Sequence, residues 1–501
     1  MFRFFGPPGT GKTTLLLNMV EEALASNINP HDIAFLAFTK KAATEAKERA
    51  SLRFKLNLDS DLFYFRTLHS LAYNLLNLSK KDLMQPKHFN ELSSLIGFQL
   101  NVKRIGEIGE EAPTGVTDHP LLSLINLARL KKTPLHNEYN ATEISFTWHE
   151  VDYVAQSYDE YKRTRGLLDY TDMLELFVKN SHEICPSFKL CFVDEAQDLS
   201  PLQWDIVHAL DTKSEKLYVA GDDDQAIYRF AGADPDAFIS LDCGAEVLEQ
   251  SYRIPKVVHN LAAKIAQRIH NRFPKVYKPK EVTGTLTRLY SIQDVDMSQG
   301  HWLIMAQANY MLSPLADSLK SQGYLFERNG SRSINAKLSH AVNGWEHLRQ
   351  GRQVTAPTVE TIYSFMSGNG VRVARGKKKL VYEQDQLFDL EELQTNHGLL
   401  ATTDMIWHEA LDKIPPPERA YITALLRRGE KFNAKPRIRL STIHGTKGGE
   451  SENVVLFLDL TAAALRTGGD DLHRMFYVGV TRTIDNLYII EPDDYTRAYN
   501  L

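Results

Sequence analysis

Short apolar runs alternate along the chain with longer stretches in which apolar residues recur every three or four positions. The runs at residues 2–5, 33–38, 190–193, 216–220, 302–305, 454–458 and 486–490 have the length and apolar content of buried strands. Directly after the first run, TTLLLNMVEEALA places Leu16, Met19, Val20, Ala23 and Leu24 on one helical face. Strands that alternate with such helical patterns predict parallel sheets of the α/β class. Two stretches break the alternation. The first, from about residue 78 to 166, carries four prolines and the acid-rich string IGEIGEEAPTG. The second, from about 351 to 435, carries VRVARGKKK and three consecutive prolines, Pro415 to Pro417. The pattern therefore predicts two sheet domains, each interrupted by a mostly helical or mixed insertion. The expected bounds are 1–78 with 166–250, insertion 79–165, then 251–350 with 436–501, insertion 351–435.

Composition narrows the class. The chain has 501 residues, 43% of them hydrophobic and 24% charged, too many for one core. No apolar run is long enough to span a bilayer, so no membrane partner is expected. The opening MFRFFGPPGTGKT has no signal-peptide architecture. Cys185, Cys191 and Cys243 show no metal-ligand spacing and leave one thiol over in any disulfide scheme. Both features predict a cytoplasmic protein. The net charge of −5 decides little, because a protein that slides along a polyanion needs only a local basic groove.

The candidate chemistry is concentrated in a few strings. Gly6, Gly11, Lys12 and Thr13 fit G-x-x-x-x-G-K-[ST] between a strand and a helix. In such a loop, here 6–14 (Gly6, Pro7, Pro8, Gly9, Thr10, Gly11, Lys12, Thr13, Thr14), backbone N–H groups cradle phosphates at a helix N-terminus. Lys12 is then placed for the β- and γ-phosphates and Thr13 for Mg²⁺. The run LCFVDEAQD ends a strand on Asp194, suited to a cation, and Glu195, suited to orienting an attacking water. A second strand, KLYVAGDDDQ, also ends in carboxylates and an amide, Gln225. A solvated acidic turn commonly explains one such strand end, but two beside a phosphate loop seldom coincide by accident.

In order, these strings and AFTKKAATEAKER, FRTLHSLAYNLL, LLDYTDMLEL, GDDDQAIYRFAGA, EQSYRIP, LSTIHGTKGGE and MFYVGVTR resemble the motifs of the UvrD/Rep/PcrA family of superfamily 1 DNA helicases. The resemblance implies two RecA-like motor domains and ATP-driven movement on single-stranded DNA, with a 3′→5′ polarity. It implies that Asp194 and Thr13 hold Mg²⁺ and that Glu195 activates water. Gln225 is then the γ-phosphate sensor, and Arg253 and Arg482 reach the γ-phosphate from facing edges. By the same likeness Tyr252 stacks on adenine and Glu450 meets the ribose. Phe38, Thr39, Thr67, His69, Tyr228, Phe230, Thr442 and His444 fall in strand-contacting segments. Stacking is sequence-tolerant and suits a motor, although Phe38 and Tyr228 also read as core aromatics. Lys377 to Lys379 read as a solvated loop more readily than as a duplex contact.

The sequence departs from that family in places. Only five residues precede Gly6, leaving no room for the adenine-reading glutamine of relatives, so either base specificity is relaxed or the adenine contact rests on Tyr252. Gln307 stands where relatives carry an arginine, and Gly449 and Ser451 replace bulkier residues. No string at either end suggests a fused nuclease. Single-stranded DNA and its junctions with duplex are the expected partners, and a monomer or weak oligomer the expected state. Two rival readings remain open: a translocase that displaces bound proteins, and a non-catalytic regulator that keeps the ATP fold.

Overall fold

The structure, a computed structural model, describes every residue except 39, 101, 103–118 and 380–385, and the side chains of residues 41 and 467. The acid-rich string of the first insertion thus lies outside the described residues. Two parallel sheets form the cores, as the alternating pattern predicts. The first contains β1 (Phe2–Phe5), β2 (Ile33–Ala37), β3 (Phe65–Thr67), β4 (Phe188–Asp194), β5 (Ser214–Gly221) and β6 (Gly244–Val247). Their spatial order is β3-β2-β4-β5-β1-β6, with every pairing parallel. The second holds β7 (Thr285–Leu289), β8 (Trp302–Ala306), β9 (Phe326–Arg328) and β10 (Ser331–Arg332). After the short antiparallel pair β11 (Val354–Thr355) and β12 (Leu387–Phe388), it resumes with β13 (Ile438–Thr442), β14 (Ser451–Phe457) and β15 (Thr483–Ile490). Its order is β10-β9-β13-β8-β14-β15-β7, parallel except for β9 with β10.

Side chains alternate between two cores in each sheet, which is why these runs are apolar throughout. In β2, Ile33 and Phe35 join the layer under the helix Lys12–Ala25, whereas Ala34 and Leu36 face the opposite layer. In β8, Leu303 and Met305 face one core and Trp302, Ile304 and Ala306 the other. The helix after the phosphate loop buries Leu16, Leu17, Val20 and Ala23. Leu17 thus takes the place expected for Met19 and Leu24, which are only half-buried. The helix Lys40–Phe54 packs beside it, with Ala46 and Ala50 in the same core.

Each insertion has a core of its own. The first gathers Phe89, Leu92, Leu121, Leu124, Val151, Val154 and Tyr158 from three helices. The second centres on Trp345, Ile362, Tyr363, Phe388, Trp407 and Ile422. Its core includes the helix Ala336–Arg349, upstream of the residue 351 expected to open that insertion. Among the described residues no helix is long and apolar enough to cross a membrane.

Candidate functional site

The phosphate loop joins β1 to the helix Lys12–Ala25 at the carboxyl ends of the first sheet's strands, where α/β sheets bind ligands. The Gly6 N–H donates to the Gly221 carbonyl at the end of β5, 2.9 Å. Lys12 Nζ donates to the Gly6 carbonyl at 2.8 Å, so its charge lies inside the loop. Gly9 has φ +72°, and a Cβ there would fall 2.4 Å from Arg253 Cβ. The reason is that the Ser251–Arg253 segment sits on the loop: Ser251 Oγ donates to the Pro8 carbonyl and the Tyr252 N–H to the Gly9 carbonyl, both at 2.8 Å. The Tyr252 ring is 75% exposed beside the loop, leaving a face open for stacking. Thr14 is exposed as well.

Thr13 Oγ1 donates to Asp194 Oδ2 at 2.6 Å. A hydroxyl and a carboxylate so placed are hard oxygen donors of the kind Mg²⁺ selects, and the donor set fits the ion. Burial and the charge of Glu195 push the Asp194 carboxyl up to about 6. Glu195 occupies the left-handed region, φ 56°, directly after β4. Burial alone would raise its pKa, but Lys12, Lys447, the Gln197 amide and Arg482 outweigh that and hold it down to about 2. Gln197 Nε2 donates to Glu195 Oε2 at 2.6 Å, and its Oε1 accepts from the Asp222 N–H at 3.0 Å. One amide therefore ties the ends of β4 and β5 together.

Arg482, just before β15 in the second sheet, forms the facing wall. It is buried, and Nη2 donates to Gln225 Oε1 at 2.5 Å while Nη1 donates to the Gly449 carbonyl at 3.2 Å. Gln225 Nε2 donates in turn to Asp222 Oδ2 at 2.6 Å. Burial and the nearby Arg253 push the guanidinium down to about 9, which leaves it charged at neutral pH. Arg253, seated against the phosphate loop, pairs with Glu450 at the same cleft. Lys12, Thr13, Asp194, Glu195, Gln225, Arg253, Glu450 and Arg482 are thus gathered at one cleft between the sheets, although they span nearly the whole chain.

The aromatic candidates gather beside this cleft. Phe38 and Tyr228 lie 5.8 Å apart by ring centroid, Tyr228 and Phe230 6.1 Å, and Phe230 meets the His444 ring edge-on at 5.3 Å. Phe230 is 65% exposed, unlike a core aromatic. It borders an 820 Å³ cleft lined also by Gln307, His444 and Met475. Gln307 Oε1 accepts from the Thr461 N–H at 3.2 Å. Burial, with Lys447 nearby, drops the His444 pKa to about 4. Burial lowers His69 similarly to about 4, and its ring faces Tyr170. Thr67 and Thr442 hold local backbone: Thr67 Oγ1 accepts from Ser70 N–H and Thr442 Oγ1 from Gly445 N–H, both at 3.2 Å. Thr39 lies outside the described residues. In the Lys377–Lys379 run, Lys378 Nζ donates to the Met366 carbonyl at 2.5 Å, which folds that lysine back on its own insertion.

Comparison with known proteins agrees with the resemblance that the strings carry. Residues 5–244 fit the family model described as the UvrD/REP helicase N-terminal domain. That stretch, just under half of the chain, is similar to this helicase domain. The chain is homologous to the ATP-dependent DNA helicase PcrA of Staphylococcus aureus, 28% identical over 290 residues, covering 53% of this chain and 38% of the relative. DNA helicase II of Escherichia coli is 26% identical over 295 residues, covering 56% and 40%. The matches span about two fifths of these relatives' own lengths. The strings LSTIHGTKGGE and MFYVGVTR of the second half come to the cleft through the second sheet.

Three side chains at this cleft carry no role in the sequence reading. Lys447 pairs with Asp198 and donates to the Gln225 carbonyl at 2.7 Å. Asp198 is buried, and burial pushes its carboxyl up to about 7 against the pull of Lys447. Gln197 joins the two strand ends, as described above. All three stand inside strings already quoted, DEAQD and GTKGGE, but only the fold shows what they touch.

Proposed function

We propose that this chain is an ATP-dependent DNA helicase that hydrolyses Mg²⁺·ATP between its two sheet domains and moves 3′→5′ on single-stranded DNA. The observation that carries the reading is Arg482, which reaches from the second sheet to within 2.5 Å of Gln225 in the first, facing Glu195 and the phosphate loop. Hydrolysis by in-line phosphoryl transfer needs cations on the developing charge, and an arginine from a facing domain contributes roughly 10³–10⁵ in rate. Lys12 and the loop amides would hold the phosphates, Thr13 and Asp194 the metal. Mg²⁺ held there would supply positive charge against the negative charge that develops on the phosphates. Glu195, kept ionised by the surrounding cations and oriented by Gln197, accepts a hydrogen bond from the attacking water.

A site closed by side chains from both domains makes their approach depend on nucleotide, which is how hydrolysis becomes stepping. The exposed ring of Phe230 beside His444 offers a stacking surface along the track. A cytosolic location agrees with three free cysteines.

The test is ATPase activity with and without single-stranded DNA, together with strand separation on duplexes carrying either overhang. Strong stimulation and unwinding from the 3′ overhang are expected. Activity on the 5′ overhang instead would reverse the polarity. Lys12→Ala and Glu195→Gln should lower stimulated turnover by at least roughly 100-fold, the scale on which transition-state electrostatics are lost. Phe230→Ala should cost about 1–3 kcal/mol of strand binding and slow unwinding more than hydrolysis.

A further inference from the structure

The loop that follows β13 touches both halves of the site. At its upstream end, the His444 carbonyl accepts from the Tyr228 hydroxyl at 3.2 Å and the His444 ring meets Phe230. At its downstream end, the Gly449 carbonyl accepts from Arg482 and Glu450 pairs with Arg253. Lys447 stands between these ends. It is nearly buried, and Nζ faces three groups of the first sheet domain at once. These are the Asp198 carboxylate, the Gln225 carbonyl at 2.7 Å and the Tyr228 ring, whose centroid is 5.0 Å away. Each belongs to a different part of the machinery. Asp198 shares the Gln197 amide with Glu195, Gln225 carries the amide that Arg482 holds, and Tyr228 belongs to the aromatic track.

We infer that Lys447 is the positioning residue that couples strand occupancy to hydrolysis, by holding the track-side tyrosine and the sensor backbone in register with the Asp198–Gln197–Glu195 chain. This rests on the function proposed above. A strand that shifts Tyr228 or His444 moves the loop that carries Lys447. Because the ammonium is fixed to Asp198 at one side and to Gln225 at the other, that shift is passed to the carboxylate that orients water. Lys447 touches none of the reacting atoms, so its effect belongs on turnover in the presence of the strand.

The experiment compares wild type with Lys447→Met, Lys447→Arg, Asp198→Asn and the double variant Lys447→Met/Asp198→Asn. The readouts are kcat and KM for ATP with and without oligo(dT), and oligo(dT) affinity by fluorescence anisotropy. In Lys447→Met the stimulation of kcat by oligo(dT) should fall by roughly 5- to 150-fold, the span of site-to-site coupling, with oligo(dT) affinity and KM near wild type. Lys447→Arg should recover part of it, since a guanidinium can pair with the carboxylate and lie on the ring. The double variant should be no worse than the weaker single, as expected of two partners in one contact. Full stimulation in Lys447→Met, a loss that merely tracks strand affinity, or additive losses in the double variant would overturn the inference. If Lys447→Met does not fold, as judged by its circular-dichroism melt, Asp198→Asn alone carries the same expectation. Wild-type ATPase that ignores oligo(dT) would sink the proposed function itself, which separates the two failures.

Discussion

At the scale of single residues, the site depends on a few places where a backbone or a charge has no alternative. Gly9 is one. Its φ of +72° lies where a Cβ costs roughly 1–2 kcal/mol, and the added carbon would stand 2.4 Å from Arg253 Cβ and 2.9 Å from Ser251 Oγ. Gly9→Ala must therefore push the Ser251–Arg253 segment off the loop, moving Tyr252 and Arg253 together. We expect ATP affinity, measured by titration calorimetry, to drop by about tenfold or more, since 1.4 kcal/mol is already a factor of ten. Unchanged affinity would mean the segment does not help to hold nucleotide. The sequence exposed this kind of residue well: a phosphate loop, a strand ending in Asp194 and Glu195, and Arg482 carry their chemistry in short strings. It exposed Lys447 poorly, because the partner that gives that lysine meaning, Asp198, is 249 positions away and looks like one more acid in DEAQD.

Between elements, the first insertion is fastened to its sheet domain by charge. Arg129, at the end of the helix Pro120–Leu130, donates to Asp169 at 2.9 Å and to Asp172 at 2.5 Å. Lys162, from the helix Trp148–Arg165, meets the same two carboxylates at 2.7 Å. Asp169 also caps the helix Tyr170–Ile184 by accepting from the Asp172 N–H at 2.7 Å. Burial would raise the Asp169 pKa, but Arg129 and Lys162 prevail and hold it well below the ordinary carboxylate range. A depressed folded pKa adds stability that is complete above the unfolded value, about 3.9, and fades as pH falls toward the folded one. Arg129→Ala leaves buried carboxylates short of a cation and should cost about 3–5 kcal/mol. The melting temperature of the variant should also vary less between pH 5 and 3, as roughly expected when a linked carboxylate loses its shift. An acid dependence as steep as wild type would remove Asp169 from the account. The string LLDYTDMLEL advertised Asp169 and Asp172, whereas Arg129 lies in a stretch that showed no chemistry, 40 residues upstream of its first partner.

On the scale of the whole molecule, the two sheet domains are joined by more than the cleft at the phosphate loop. Asp222, Asp223 and Asp224, which follow β5, meet Lys275 of the segment leading to the second sheet. Its Nζ lies 3.1 Å from Asp222 and 3.0 Å from Asp224 and also pairs with Asp223. Arg272 grips Asp224 through two bonds of 2.7 and 2.6 Å, and Arg474 donates to the Asp223 carbonyl at 3.0 Å. These carboxylates are almost wholly buried, as is Lys275. In sequence the triplet read as a carboxylate cluster beside Gln225; in the fold its charges hold the second domain against the loop that carries Gln225. That placement could not be read from spacing, since Lys275 sits in an unremarked string, NRFPKVYKPK. Lys275→Met should therefore destabilise the protein by about 3–5 kcal/mol, the cost of stripping one partner from a buried ionic group. Asp223→Asn added to Lys275→Met should restore part of the loss, because one fewer buried negative charge is left without a cation. Chemical denaturation of wild type, the single and the double variant measures both steps. A double variant that is less stable than Lys275→Met would show that repulsion among the carboxylates is not what the lysine suppresses. In that case the segment 270–275 would be held by its backbone contacts, such as the Phe273 N–H to Asp223 Oδ2 at 2.8 Å, and not by charge.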